Sequence, residues 1–347
     1  MLNHLEKIIF NALNDFLVFG GYTKIYLKRN PSWLNIFVDL ELVLRNDCIF
    51  TNSEIQIISY RCASSRPRFT LFICILGEVH NLLLAHCYCT YRELFYRNCE
   101  LADSQWKVQR AVNDVCYVLN TTFWNLGVFA SSKGLMAGSL LIYMSNGDVI
   151  NYKAPSFVPT NFTYIDRFET TASYILLVEK DTVFEKMLST RIFSLIHENI
   201  ILVTGRGYPD IASRWILQRL HREHRLAIYM LTDADPCGIE IMLTYRHGSL
   251  TQAANGLQLT CPYLKWLGIH PSDLKHLRIP TEPLVLNDCR KIEFLLRRKY
   301  VNTGVRQELK ILKYCCRKAK LDNMSINKFQ MFMCDYIINK IKRQIVI

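Results

Sequence analysis

Two acidic side chains stand two residues apart in the run 231–242, where an apolar, β-like segment (226–231) ends. Side chains alternate between the two faces of a strand, so Asp233 and Asp235 are expected to point the same way. Neighbouring carboxylates repel each other unless a cation or a proton lies between them, and hard oxygen ligands of this kind suit Mg²⁺. Pro236 then breaks the strand ahead of a helical stretch, so the spacing also allows a solvated turn with a helix-capping aspartate.

Strand-like and helical segments alternate from about residue 171 onward. Three apolar runs are predicted to be strands, at 174–178, 200–204 and 226–231. A polar or glycine-containing turn and then a helix-like stretch follow each run, and the first helix-like stretch extends to about residue 198. This alternation predicts parallel strands with helices across them, and ligands of such sheets lie beyond the carboxyl ends of the strands. Glu179, Gly205, Asp233 and Asp235 all fall at those ends, which favours a metal site over a solvated turn.

The first half of the chain has a different pattern. Residues 1–60 include apolar positions at helical spacing, and 61–68 is predicted to be a linker before an apolar helical run at 69–87 that Gly77 interrupts. Thr90 and Glu93 fit a capping box at the start of a second helix. Segments 140–145 and 148–153 flank an Asn-Gly pair typical of a hairpin turn. Two helices and a hairpin together are consistent with a winged-helix domain.

Charge and composition restrict the class of protein. The 347 residues carry a net charge of +12, which favours a polyanionic partner. Nucleic acid is the first candidate and an anionic membrane surface the second. The alternative is a basic surface without a specific partner. No apolar run reaches the ~18 residues of a spanning helix, and the N-terminus lacks a signal layout, so we expect a soluble intracellular protein. The thirteen cysteines form neither paired CxxC motifs nor a Cys/His quartet, and they are expected to be reduced.

Several motifs together resemble one family. Segments 178–181, 204–210 and 233–242 are similar, in order, to the Toprim domain in the family of the topoisomerase VI A subunit, and 245–249 with 266–273 continue the similarity. Upstream, 90–96 resembles the nucleophile motif of that family, and 131–138 resembles the stretch before its wing. The details of 233–242 resemble the eukaryotic meiotic (sporulation-eleven) branch more than the archaeal enzyme. The resemblance covers about residues 60–300, and the first 60 residues match no motif.

The resemblance implies a mixed α/β (α+β) fold. A winged-helix (CAP-like) DNA-binding domain with the catalytic tyrosine is expected at 61–160, after an N-terminal helical extension at 1–60. A Toprim, Rossmann-like metal-binding domain with a parallel sheet and C-terminal helices is expected at 165–347.

The resemblance also assigns a nucleophile, Tyr96. Arg92 lies one helical turn earlier and shares its face, where it is expected to hold the scissile phosphate and stabilise charge in the transition state. A phenol is mostly protonated at neutral pH and needs a base or a positive field before it can attack phosphorus. Attack would leave a covalent 5′-phosphotyrosyl link, which conserves the energy of the broken bond.

Glu179, Asp233 and Asp235 are expected to bind Mg²⁺, which would act as Lewis acid and template. Lys133, Lys180 and Arg206 are candidate DNA contacts, although Lys180 is equally consistent with a solvated charge. Glu240 is interpreted as structural. Basic residues of the C-terminal third are expected either to line a DNA channel or to lie on solvated helix faces.

By resemblance, the protein acts on double-stranded DNA in the nucleus, on chromosomes, as a homodimer. The tyrosine of one protomer is expected to work against the metal of the other. Expected partners are a topoisomerase VI B-like subunit, together with other meiotic break-formation proteins, and a membrane is not expected. The sequence has no phosphate-cradling ATPase loop, so ATP hydrolysis would require a partner subunit.

Three alternatives remain beside a DNA-breaking transesterase of meiotic recombination. The first is a type IIB topoisomerase subunit that relaxes DNA, the second is a catalytically silent DNA-binding scaffold, and the third is a metal-dependent hydrolytic nuclease. The sequence departs from the family at Phe95, where Tyr is frequent, at Cys237, where Tyr, His or Phe is usual, and at Glu93, where Asp is common. None of these departures removes a predicted catalytic group.

Overall fold

The structure is a computed structural model that describes residues 1–18, 23–28, 37–38, 44–45, 55–190, 199–249, 252, 256–277 and 279–347. The described residues form two compact units. The first takes those of 1–35 and 47–131, and the second takes those of 36–46 and 132–347. The stretch 191–198, at the end of the helix predicted after the first Toprim-like strand, lies outside the described residues.

The first unit is mainly helical. Its helices are α1 (Leu2–Val18), α2 (Arg66–Leu84), α3 (Tyr91–Arg97) and α4 (Gln105–Val118). Its strands form two small sheets, antiparallel β1 (Lys24–Lys28) with β4 (Ile55–Ser59) and parallel β5 (Cys89–Thr90) with β6 (Val128–Phe129). Apolar residues of α2 and α4 are buried where these helices pack, so this pair forms the core of the unit.

Helix α2 begins earlier than the sequence indicated. The predicted linker 61–68 ends inside the helix, which starts at Arg66 and has Pro67 in its first turn. Proline has a fixed φ and no N–H, so the first turn of a helix accommodates it well. By length and composition α2 would also suffice to span a membrane. Seven of its residues, among them Phe72, Ile75 and Val79, are buried in the unit, so the apolar sequence of the helix serves the core.

The second unit is built on a mixed sheet of six strands in the order β10-β7-β13-β12-β14-β15. These strands are β7 (Leu135–Gly138), β10 (Ser156–Phe157), β12 (Tyr174–Val178), β13 (Ile200–Thr204), β14 (Ala227–Leu231) and β15 (Lys265–Gly268). Strands β12 to β15 run parallel to one another, and β7 pairs antiparallel with β13 and with β10. The predicted mixed α/β class with parallel strands is confirmed.

Other strands of the second unit form smaller sheets. They are β2 (Phe37–Val38) with β3 (Leu44–Arg45), then β8 (Leu141–Met144), β9 (Val149–Asn151) and β11 (Ile165–Glu169), and finally β16 (Thr281–Pro283) with β17 (Arg317–Ala319). Strands β8 and β9 form the predicted hairpin, and Gly147 in its turn has a φ of +90°. Positive φ is the reason a glycine is favoured there.

Helices complete the second unit. They are α5 (Asp181–Leu188), α6 (Ile211–His224), α7 (Pro236–His247), α8 (Gly256–Leu259), α9 (Leu274–Leu277), α10 (Leu286–Leu296), α11 (Thr303–Cys315), α12 (Ile326–Phe332) and α13 (Asn339–Arg343). A π-helical stretch, Met333–Ile338, joins the last two. Apolar side chains from the central strands and from 321–337 form one buried cluster, so the C-terminal residues belong to the same core as the sheet.

The division by packing differs from the division by motif. The sequence places domain boundaries near residues 60 and 160–165, whereas the two compact units separate between 131 and 132. The physical reason is β7, which pairs with β13 of the central sheet. The motif-based boundaries stay a prediction about functional domains.

Candidate functional site

Tyr96 lies on a short helix whose start is fixed by its own sequence. The Thr90 side chain accepts the N–H of Glu93 at 3.2 Å, and the Glu93 carboxylate accepts the N–H of Thr90 at 2.5 Å. This is the predicted capping box, which satisfies amides that a helix start leaves unpaired. One side of the helix is anchored, because Tyr91 and Leu94 are buried.

The opposite side of α3 is open to solvent. Tyr96 is 64% exposed, and Arg92, one helical turn earlier, is also exposed. The aromatic ring of Tyr96 contacts that of Phe95, with centroids 5.7 Å apart, while Arg97 forms an ion pair with Glu78 at 3.2 Å. The helix therefore presents a phenol and a guanidinium on one accessible face.

The acidic residues meet at the end of the central sheet. Glu179 directly follows β12, and Asp233 and Asp235 follow β14, which is its parallel neighbour with Val178 opposite Leu231. The Glu179 carboxylate accepts the N–H of Asp233 at 2.9 Å. The three side chains are at most 9% exposed. The packing of two adjacent parallel strands thus brings together the carboxylates that the sequence separates by 54 positions.

Burial and mutual repulsion perturb these carboxylates. Burial raises the pKa of Glu179, and the charges of Asp233 and Asp235 raise it further. Burial also raises the pKa of Asp233, although hydrogen bonds from the Leu321 amide and from Lys180 oppose that effect. The raised pKa values mean that this group of carboxylates favours taking up a positive charge, and a divalent cation could supply it in place of a proton.

The acids also make contacts within the protein. Asp235 caps α7 by accepting the N–H of Gly238 at 2.7 Å, so the capping role that the spacing allowed is present. Asp233 accepts the N–H of Leu321 at 2.9 Å through Oδ1, and its Oδ2 lies 2.6 Å from the Lys180 ammonium. Among the described residues, no three His, Cys, Asp or Glu side chains already converge as a set of metal ligands. The carboxylate oxygens are ligands of the kind that Mg²⁺ prefers, while the observed side-chain conformations direct them to donors within the protein.

Gly238 allows these groups to come together. A Cβ at this position would lie 2.7 Å from the Asp233 carbonyl oxygen and 2.8 Å from Glu179 Oε2. Cβ atoms in proteins essentially never lie within 3.0 Å of such atoms. A side chain at residue 238 would therefore intrude on the space between the two acidic residues.

The loop after β13 lies beside the acids. The Gly207 N–H donates to the Glu179 carbonyl at 2.8 Å. Arg206 adopts a left-handed conformation with φ +54°, and its guanidinium lies 3.6 Å from the Asp181 carboxylate. Lys133 donates from Nζ to the Arg206 carbonyl at 3.2 Å. The loop after β13 therefore contains Arg206 and is hydrogen-bonded to both Lys133 and Glu179.

Glu240 is paired within the protein. It lies 2.5 Å from Arg298 and 2.7 Å from Lys291, and it accepts a hydrogen bond from the Tyr208 hydroxyl. These contacts link α7 to α10 and to the glycine-containing loop. The interpretation of Glu240 as structural agrees with this geometry.

Basic residues of the C-terminal third are divided between internal pairs and exposed positions. Lys318 pairs with Asp288 at 2.7 Å, and Lys340 is buried and pairs with Asp273 at 2.6 Å. Arg290 and Arg297 are exposed. The paired cations support the fold, so a DNA channel would have to use the exposed ones.

Sequence reasoning did not identify two contributors to the acidic cluster. Asp322 lies 2.7 Å from the Lys180 ammonium, and the Leu321 amide binds Asp233. Both belong to 320–323, a stretch without a recognisable motif, and Asp322 is 142 positions from Lys180. No local pattern signals a contact of that range.

Comparisons with known proteins all match one family of proteins. A family model for the Toprim domain of Spo11 and the topoisomerase 6 A subunit matches residues 174–341, and one described as "Type IIB DNA topoisomerase" matches residues 67–128. A meiotic recombination protein of Drosophila melanogaster is 42% identical over 87% of this chain and 91% of its own length. The meiotic recombination protein SPO11 of Homo sapiens is 31% identical over 99% and 87%. A relative from Arabidopsis thaliana, named as the A subunit of DNA topoisomerase 6, is 31% identical over 98% and 80%.

Proposed function

Since the chain belongs to the family of Spo11 and the topoisomerase 6 A subunit, which is related to type IIB topoisomerases, we propose that it breaks double-stranded DNA by transesterification and so initiates meiotic recombination. The observation that carries the proposal is the exposed Tyr96 hydroxyl beside Arg92 on a capped helix. A catalytic phenol must reach a phosphate of a docked duplex, and a 64% exposed side chain meets that requirement. Tyr91 on the same helix is buried and does not.

The proposed reaction exchanges one phosphate ester bond for another. Tyr96 Oη forms a bond to phosphorus while the bond from phosphorus to the 3′ oxygen breaks. The phenolic proton leaves, and the departing 3′ oxygen gains one. Arg92 holds the phosphate and stabilises its growing negative charge through charge-assisted hydrogen bonds. The product is a 5′-phosphotyrosyl link that keeps the bond energy, so the step is reversible.

Glu179, Asp233 and Asp235 would hold Mg²⁺ in this proposal. The ion supplies positive charge for the scissile phosphate and the 3′ oxygen when bound. In support of this, Glu179 and Asp233 follow directly or closely after adjacent parallel strands, and Gly238 keeps a side chain out of the space between these two residues. Lys133, Lys180 and Arg206 supply positive charge near this edge and are proposed contacts to the DNA backbone.

The proposed assembly is larger than one chain. A homodimer would cut both strands, with Tyr96 of one protomer acting beside the metal-binding residues of the other. The proposed partners are a B-like subunit, together with further meiotic break-formation proteins, and chromosomes in the nucleus are the proposed location. The net charge of +12 supports a polyanionic partner.

The test is the detection of covalent protein–DNA adducts. The protein is expressed with its natural partners and incubated with duplex DNA and Mg²⁺, and 5′ ends are examined for attached protein. Tyr96→Phe should abolish the adduct, whereas Tyr314→Phe, at a residue 89% exposed, should leave it unchanged. Free 5′ phosphates without an adduct would indicate a hydrolytic nuclease. Tight DNA binding without cleavage would indicate a scaffold. Either result contradicts the proposal.

A topoisomerase subunit that relaxes DNA is the second candidate. The similarity to the Arabidopsis relative over 98% of the chain favours it, since that relative is named as a topoisomerase. The same assay separates the two functions when ATP is included together with a B-like subunit. Relaxed, resealed DNA with no persistent adduct would support the second candidate.

A further inference from the structure

Lys180 bridges two carboxylates at the edge of the acidic cluster. Its ammonium lies 2.6 Å from Asp233 Oδ2 and 2.7 Å from Asp322 Oδ2. The Asp233 side chain is 1% exposed, whereas the Asp322 side chain is 31% exposed. One partner is therefore an internal candidate metal ligand, and the other faces solvent.

Asp322 is held firmly in its position. The Lys186 ammonium donates to the carbonyl oxygens of Asp322 at 2.7 Å and Met324 at 2.9 Å. Thr182 donates from its hydroxyl to the second carboxylate oxygen of Asp322. The bridge between Ala234 and Ala319 fixes the start of this segment beside Asp233. These contacts therefore hold the Asp322 carboxylate in the conformation that faces Lys180.

The ammonium and a divalent cation would compete for the same oxygen. Asp233 Oδ1 accepts the Leu321 N–H, whereas Oδ2 faces the Lys180 ammonium at 2.6 Å, so a metal ion that binds Oδ2 has to displace that ammonium. A positive charge at that oxygen lowers the affinity for a second cation, both by repulsion and by direct competition. The binding of Mg²⁺ becomes easier when the ammonium has another carboxylate to pair with.

We propose that Lys180 is an internal counter-ion that competes with Mg²⁺ for Asp233, and that Asp322 is a positioning residue that takes the ammonium when the metal binds. The inference rests on the metal site of the proposed function. It adds a cation that protects the buried acid when no metal is bound, and a built-in partner for that cation when the metal arrives. Neither residue needs to touch DNA for this role.

The experiment measures the affinity for Mg²⁺ alone, by titration calorimetry, with no DNA or cleavage step. Lys180→Met removes the competitor and should tighten Mg²⁺ binding about tenfold. Asp322→Asn removes the alternative partner, leaves the ammonium on Asp233 and should weaken binding about tenfold, as loss of an outer-shell partner typically does. Lys180→Arg keeps the positive charge and should not show the tightening of Lys180→Met.

Opposite signs for the two variants distinguish this role from a purely structural one. If Lys180 only orients Asp233, both Lys180→Met and Asp322→Asn would weaken binding, and the inference would be wrong. When Asp322→Asn is added to Lys180→Met, it should weaken Mg²⁺ binding about twofold or less, because Asp322 acts through Lys180. A full tenfold loss in that background would overturn the positioning role.

Controls separate this inference from the metal site itself. Lys313→Met removes a lysine from an exposed pair with Glu293 at 2.9 Å and should not change Mg²⁺ affinity. Mg²⁺ binding that Asp235→Asn leaves intact would contradict the proposed metal site and with it the inference. If Lys180→Met does not fold, Lys180→Gln takes its place with the same expected tightening, and unchanged or weakened Mg²⁺ affinity in that variant overturns the proposal.

Discussion

The Glu179 carboxylate accepts the backbone N–H of Asp233 at 2.9 Å, across the ends of two neighbouring parallel strands. This bond joins a side chain after β12 to the main chain after β14, so the acidic pair is part of the sheet edge and not of a flexible loop. The geometry of the site then depends on how closely α7 can approach that edge.

Gly238→Ala tests this close approach. The new Cβ would lie 2.7 Å from the Asp233 carbonyl oxygen, a backbone atom that cannot move away easily. We expect a loss of about 1–3 kcal/mol in the free energy of unfolding, as for other overpacked sites. Denaturant unfolding monitored by circular dichroism measures it.

Gly77→Ala is the matched control. Gly77 lies within α2, and a Cβ there would have no heavy atom within 4 Å. Alanine is the better helix former, so this variant should gain up to about 1 kcal/mol. A Gly238→Ala protein as stable as the native one would contradict the crowding argument.

Much of the fold follows from short-range patterns in the sequence. The capping box of Thr90 and Glu93, the turn at Gly147 and the strand ends at Glu179 and Asp233 were all predicted, because each depends on a few adjacent residues. These patterns determine where elements begin and end. They were sufficient to bring the acids to one edge of a parallel sheet.

Other features depend on packing between distant segments. The contact of Asp322 with Lys180 spans 142 positions, and nothing in the local sequence signals it. The antiparallel pairing of β7 with β13 likewise moves the boundary between compact units to 131/132. The start of α2 at Arg66 was missed for a local reason, since Pro67 allows either a linker or a first helical turn.

Arg92→Ala should reduce DNA cleavage without reducing stability. The side chain is exposed on α3, so its removal leaves no cavity, while loss of a charge-stabilising donor typically costs about 10²–10³ in rate. The measurement is the initial rate of adduct formation. Arg97→Ala, which breaks an exposed pair with Glu78, is the control and should retain cleavage within about threefold. Equal losses in the two variants would count against a specific role for Arg92.

Thr90→Ala should loosen the helix that carries Tyr96. The substitution removes the oxygen that accepts the Glu93 N–H and should cost about 1 kcal/mol of stability. Because the capping box is reciprocal, Glu93→Ala in the Thr90→Ala background should cost less than Glu93→Ala alone. Chemical denaturation of the four proteins provides the double-mutant cycle. Additive losses would show that the two hydrogen bonds act independently.

Glu240→Ala should lower the free energy of unfolding more than Thr90→Ala or Glu93→Ala does. Its carboxylate lies between Lys291 and Arg298, and its side chain is only 16% exposed. Removal takes the carboxylate away from two partly buried cations, and breaking a buried ion pair in this way typically costs about 3–5 kcal/mol. Glu293→Ala, which breaks the exposed pair with Lys313, should cost less than about 1 kcal/mol. Thermal unfolding of the two variants compares them, and a similar shift in both would be contrary to expectation.

Acid stability should depend on Asp273. Burial alone would raise its pKa, but hydrogen bonds from His270, Lys340 and Tyr336 outweigh burial and hold the pKa well below its usual value. A depressed pKa in the folded state stabilises the protein above the unfolded pKa of about 4, and this stability is lost as the pH falls through the folded value.

Asp273→Asn removes this proton linkage. The variant should be less stable than the native protein at pH 7, because the buried Lys340 ammonium loses its 2.6 Å partner. As the pH falls below about 4, the difference between the two proteins should shrink, since Asp273 binds a proton in the unfolded chain while it stays ionised in the folded protein down to its lower pKa. Unfolding free energies measured between pH 7 and pH 2 test the sign. A difference that stays constant over that range would mean that Asp273 contributes through its shape and not through its charge.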